Sequence, residues 1–168
     1  MTIQEVCKCL KSELLNNGYE YGFFLDGKKY KPNTANGFDS EYFQLSTTIY
    51  RVQNPDITMR EKIGTCVDAV MVMKMLLDQH KVPNIIWMLH HKLTHKVHTI
   101  VTFEAENKIV YLELTPQFSK AHYGHELVYA NLQGFLREYE QNGFEVSDVT
   151  DAIIIGQQPI FLLKKYND

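Results

Sequence analysis

Cysteine is scarce in this chain: three in 168 residues, an odd count, with Cys7 and Cys9 two apart where a helix is expected. Side chains at that spacing point in different directions on a helix. No disulfide framework is therefore expected, and a reducing cytosol is the expected setting. No Lys/Arg-rich run breaks the mixed charge, whose formal net value is -3. The electrostatic footprint of a nucleic-acid binder is missing, and the basic group Lys28, Lys29 and Lys31 reads as a solvated turn. Long apolar runs are also missing. The longest, Val67 to Leu77, is interrupted by Asp68 and Lys74, so no membrane partner is expected. The opening Met1-Thr-Ile-Gln-Glu has neither the basic nor the apolar region of a secretory leader. There is no internal repeat and no low-complexity tract.

What is present is ample core material, 45% hydrophobic and 12% aromatic residues. One cytoplasmic domain over residues 1–168 is expected, needing no metal or disulfide to fold. Residues 1–60 read as a helical and irregular lead-in, and 61–168 as a helix and a sheet. Residues 3–16 repeat Ile3, Val6, Leu10 and Leu14 at helical spacing, and Asn16-Asn17-Gly18 stops the helix. A short strand is predicted over Tyr19 to Leu25. Residues 26–62 hold turn signals, Asn36-Gly37 among them, and no clean period. Cys66 to Gln79 is apolar nearly all round, the mark of a buried helix, with Thr65 as N-cap and Asp68 in the first turn. Strands are predicted at Ile85 to Leu89, Val97 to Phe103 and Lys108 to Leu114, the last two joined by a turn at Glu106-Asn107. An amphipathic helix follows over 130–142, then closing strands at Ala152 to Ile155 and Pro159 to Leu163. Helices followed by an antiparallel sheet make an α+β fold.

Three residues in this frame can share one chemistry. A thiol becomes nucleophilic as the thiolate, which a helix N-terminus or a histidine favours. Cys66 stands at the first turn of the buried helix, where unpaired N–H groups also suit an oxyanion. Gly64 and Thr65 flank it as candidate substrate-binding residues, the glycine giving a carbonyl room to approach. The competing reading of Cys66 is an inert cysteine at a core helix end. His98 lies on a strand with Ile100 and Thr102 on its face. Glu113, fifteen residues on, comes roughly opposite His98 across the predicted hairpin. Between Leu112 and Leu114 its carboxylate needs a partner. Nucleophile, base and orienting acid are the parts of covalent acyl transfer.

Gly-Thr-Cys-x-Asp at a helix start, His-Thr-Ile-Val-Thr-Phe on a strand and Tyr-Leu-Glu-Leu-Thr-Pro beyond it resemble the transglutaminase-like superfamily. The small bacterial stand-alone members are the nearest in pattern, and the likeness spans residues 38–116. It implies a papain-like fold with the nucleophile helix packed on an antiparallel sheet. It also implies Cys66 as nucleophile, His98 as base and Glu113 as third member, with no cofactor. The implied activity is that of a peptidase, deamidase or transglutaminase on a peptide or protein carboxamide. Two positions depart from the family: Val67 follows the cysteine and Thr99-Ile100 follow the histidine, where relatives often carry aromatics.

Two other readings compete. One is a binding or scaffold module that kept the fold and lost the activity. The other is a metal held by His90, His91, His95 and His98. Against it, His90 and His91 point to opposite faces of a strand, and no cysteine or carboxylate stands at a familiar spacing. Trp87 reads as core, His122 and His125 as surface residues, and Tyr42, Phe43 and Tyr50 as weak candidates for a cleft rim.

Overall fold

A hydroxyl and a carboxylate three residues apart start the central helix. In the computed structural model, which describes residues 1–33, 39–116 and 122–159, Thr65 is extended and accepts the Asp68 N–H on its hydroxyl. The Asp68 carboxylate accepts the Thr65 N–H in return. This reciprocal box removes two orphan donors and opens helix α4, Cys66–Gln79, with the bounds its sequence predicts. His80 closes the helix, Lys81 takes a left-handed turn, and Pro83 prevents continuation.

Helix α1 (Ile3–Glu13) precedes strands β1 (Glu20–Tyr21), β2 (Phe23–Leu25) and β3 (Lys28–Tyr30). Helices α2 (Ser40–Thr48) and α3 (Pro55–Glu61) and strand β4 (Ile63–Gly64) lead into α4. Strands β5 (Asn84–His91), β6 (Val97–Ala105), β7 (Lys108–Leu112) and β8 (Glu126–Tyr129) follow, then helix α5 (Leu132–Gln141) and strand β9 (Phe144–Asp148). The fold is α+β, with a five-stranded antiparallel sheet in the order β8-β7-β6-β5-β9. Alternation along the strands gives each face its own core. Ile86, Met88, Val101, Phe103, Val110 and Leu112 pack with Val67, Val70, Met73 and Leu77 of α4. Trp87, Leu89, Ile100 and Tyr111 pack with Phe135 and Leu136 of α5.

The hairpin between β6 and β7 turns on Glu106 and Asn107, both at positive φ, which matches the right-handed twist of the strands. Trp87 is core, its indole N–H donating to Thr102. Other expectations need correction. The predicted strand at Ala152 to Ile155 is a turn, where Ile153 is buried but Ile154 and Ile155 are exposed. The backbone there makes turn bonds to its own neighbours and meets Val52 through Gly156 and Gln157. The predicted strand from Pro159 onward and the Asn36-Gly37 turn lie outside the described residues. Lys28 and Lys29 belong to β3, whose pairing with β2 makes a hairpin rather than a bare turn. No helix among the described residues is long and apolar enough to cross a membrane.

The N-terminal part meets the lead-in to α4 through a small parallel ladder, besides packing α1 on α4. Glu20 and Tyr21 of β1 register against Ile63 and Gly64 of β4, and the Gly22 N–H donates to the Gly64 carbonyl at 3.1 Å. Gly22 sits at φ +149, and a Cβ there would lie 2.3 Å from the Tyr30 carbonyl. Gly22→Ala should therefore cost about 1–3 kcal/mol of stability, read as a lowered urea midpoint with unchanged slope.

Candidate functional site

Cys66 sits at the end of the sheet where β7 leaves β6. Pairing of those strands covers Thr102 to Ala105, so the opening residues of β6 have no strand on that side. The first turn of α4 occupies that edge, and the Thr99 N–H donates to the Cys66 sulfur. His98 also hydrogen-bonds the thiol. Its Nε2 is 2.9 Å from Glu113 Oε2, so Nδ1 is the nitrogen left for sulfur. The three predicted residues are thus brought into one chain of contacts. The register corrects their relation: continued past β7, it sets Ile100 opposite Glu113. The His98–Glu113 contact is therefore diagonal, two residues along the same face.

Glu113 is the most enclosed of the three, at 2% exposure. Its Oε2 also accepts the Tyr111 hydroxyl, and its Oε1 accepts the Thr115 N–H at 3.2 Å. Three donors surround a carboxylate that would otherwise be costly to bury. Tyr111 escapes a search for catalytic residue types. Its signal was strand alternation, two positions before Glu113 on the same face. Cys66 and His98 are buried as well, at 8% and 9% exposure.

The electrostatics at Cys66 set opposing effects against each other. Burial pushes the thiol up, and Glu113 adds to that. The hydrogen bond and charge of His98 and the Thr99 N–H outweigh both, so the thiol lies below the ordinary cysteine value. The other two thiols go the opposite way. Burial pushes Cys7 up to about 11, and burial with Glu13 raises Cys9. All three cysteines are free. A thiol poised beside an imidazole, itself held by a carboxylate, is equipped for nucleophilic attack and proton return.

Beneath the thiol lies a polar knot. Asp68 is fully buried, yet its Oδ1 accepts the Tyr50 hydroxyl and the Gln53 N–H, both at 2.8 Å. Its Oδ2 accepts the Thr65 N–H at 2.9 Å and the Thr65 hydroxyl at 3.2 Å. Burial still pushes the Asp68 carboxyl up to about 6. Tyr42 and Tyr50 are buried here, at 3% exposure each, and form no rim. Thr65 is buried too, its carbonyl accepting the Tyr19 hydroxyl at 2.9 Å. The space beside Gly64 is filled: a Cβ there would lie 2.6 Å from the Asp68 Cβ and 2.7 Å from the Tyr19 hydroxyl. Close packing accounts for that glycine.

The histidine cluster separates. The His90 and His95 rings are 5.8 Å apart, while His91 packs edge-on to Phe144 on the other face. Among the described residues no three His, Cys, Asp or Glu side chains gather to hold a metal. His122 is half-buried rather than a plain surface residue, its ring edge-on to Tyr111 at 5.1 Å. No family model matches the chain, and no curated protein matches it.

Asp68→Ala would strand the donors of Tyr50, Gln53 and Thr65. A loss of about 3 kcal/mol or more is expected, read by urea unfolding. Asp68→Asn keeps one acceptor oxygen and should lose less.

Proposed function

We propose that the chain is a cysteine-dependent acyl-transfer enzyme acting on a peptide or side-chain carboxamide, with Cys66 as nucleophile, His98 as base and Glu113 as orienting acid. The observation that carries the reading is the relay itself: a depressed thiol bonded to a histidine whose Nε2 is 2.9 Å from a buried, triply bonded carboxylate. The motif resemblance to transglutaminase-like proteins supports it, as does a buried helix presenting its N-terminus at the edge of an antiparallel sheet, which suits a papain-like arrangement.

The Cys66 thiol passes its proton to His98, and the thiolate bonds to the carboxamide carbon. The carbonyl π pair moves to oxygen. As that pair returns, the C–N bond breaks and His98 gives its proton to the departing amine or ammonia. The remaining thioester is attacked by water, giving hydrolysis or deamidation, or by an amine, giving transfer. Glu113 keeps Nδ1 turned to sulfur and stabilises the imidazolium.

Alkylation with iodoacetamide tests the nucleophile. Because the Cys66 pKa is lowered and those of Cys7 and Cys9 are raised, the Cys66 thiolate persists as pH falls through the range where Cys7 and Cys9 are already protonated. At mildly acidic pH, Cys66 should be modified well ahead of the other two, as read by peptide mass spectrometry. Equal rates for the three thiols would overturn the reading.

Ammonia or amine release from a glutamine-rich peptide pool should vanish in Cys66→Ala. In Glu113→Gln it should fall by roughly 10²–10⁴-fold, the range for a disabled acid–base partner, with little change in KM. A Glu113→Gln chain of undiminished turnover would remove the carboxylate from the mechanism.

A further inference from the structure

The carboxylate of the relay has a second side-chain donor to which the mechanism gives no task. Glu113 Oε1 accepts the Thr115 N–H at 3.2 Å. The two side-chain donors meet on the other oxygen. His98 Nε2 lies 2.9 Å from Oε2, and the Tyr111 hydroxyl donates to that same atom. The charge of one oxygen is therefore divided between two donors.

Strand geometry brings both donors to it. Tyr111 registers directly opposite Thr102 of β6. Glu113, just past the end of β7, shares its face by alternation, and His98 reaches Glu113 from the diagonal position. The Tyr111 ring is held by its neighbours, edge-on to His122 at 5.1 Å and tilted against Tyr139 of α5 at 6.3 Å. Tyr111 and Glu113 are each 2% exposed, so bulk water does not compete for the bond. The titratable groups facing the pair are His98 from β6, Cys66 from α4, His122 and Tyr123 before β8, Tyr129 of β8 and Tyr139 of α5.

We propose that Tyr111 is a positioning residue for the relay: by sharing Oε2 it fixes that oxygen beside His98 and tempers its charge, so that His98 can return its proton to the departing amine. This rests on the acyl-transfer reading above and deepens it. The base has to accept the thiol proton and then surrender it. A carboxylate with its full charge on the contacting oxygen favours the imidazolium at both steps. A second donor on that oxygen weakens the bias without removing it. Such a donor must keep its own proton, and burial, then Glu113, hold the Tyr111 phenol well above its ordinary value.

Tyr111→Phe keeps the ring and removes only the hydroxyl. Without the competing donor, Oε2 holds the His98 proton more tightly, and the imidazolium persists to higher pH. The pH profile of Cys66 alkylation by iodoacetamide has an upper limb where the thiolate–imidazolium pair loses that proton. This limb should rise by about one pH unit. Alkylation needs no proton returned, whereas carboxamide cleavage does. Cys66-dependent ammonia or amine release should therefore fall by roughly tenfold while the alkylation rate below the limb is kept. A cycle with Glu113→Gln is independent of how stable either variant is: once the carboxylate is gone, adding Tyr111→Phe should move the limb no further. An unmoved or lowered limb, equal losses of alkylation and release, or a further shift in the Glu113→Gln background would each overturn Tyr111 in this role while leaving Cys66 and His98 in theirs. A wild-type chain whose three thiols react alike would overturn the acyl-transfer reading and this one with it.

Discussion

The buried carboxylate of Asp68 is the constraint on which the rest of this structure depends. Four donors from two segments converge on it: the Tyr50 hydroxyl and the Gln53 N–H from the loop before α3, and the N–H and hydroxyl of Thr65. Each segment has to be in place for the other to be satisfied, because a buried carboxylate with a missing partner is costly. The same contacts fix where α4 begins, and therefore where Cys66 stands. The N-terminal part of the chain adds to that fixing through the Tyr19 hydroxyl and the β1–β4 ladder. Stability and placement of the thiol are here one problem with one solution.

A second consequence concerns the sheet. β7 pairs with β6 only over Thr102 to Ala105, which leaves the edge beside His98 and Thr99 open to α4. The cysteine enters at that edge, meeting a backbone donor and an imidazole together. His98 turns toward Glu113 and Tyr111, on the face packed by α5. The relay thus connects the two cores, since α4 delivers the sulfur from one face and the strands deliver the base and acid on the other. Rigid strands hold a histidine more tightly than a loop would, which suits a site needing fixed distances.

Much of this was legible where the chemistry is local. Thr65 and Asp68 mark the start of α4, and Pro83 its end, so its bounds follow from capping alone. The Glu106-Asn107 turn likewise fixes which residues of β6 and β7 share a face. What stayed hidden depends on distant partners. β8 and β9 are short edge strands, partly exposed, and carry no strong period to betray them. α3 had a start signal, Asn54 before Pro55, but no clean period, and its burial comes from packing on α4. Tyr50 and Tyr42 looked like rim aromatics, and only the folded network shows them buried against the helix start. Tyr111 is the same lesson at closer range: a residue that bonds Glu113 is invisible to composition and plain once strand faces are known.

The chain contains its own control for what makes a thiol reactive. Cys9 Sγ lies 3.7 Å from His80 Nε2, so cysteine and histidine meet twice, at opposite ends of α4. Cys66 is at the N-terminal end, where the helix dipole favours negative charge, and His80 is at the C-terminal end, where it does not. Behind His98 stands Glu113. Beside Cys9 the acidic neighbour is Glu13, which acts on the sulfur itself and helps to raise it. The two thiols therefore shift in opposite directions from similar pairings. Proximity to an imidazole is insufficient: the carboxylate must bond the histidine, whose effect on the sulfur then outweighs the carboxylate's own, and the thiol must sit at the positive end of the helix. Only Cys66 meets both conditions: Glu113 faces His98, and the Thr65–Asp68 box sets Cys66 at the start of the helix.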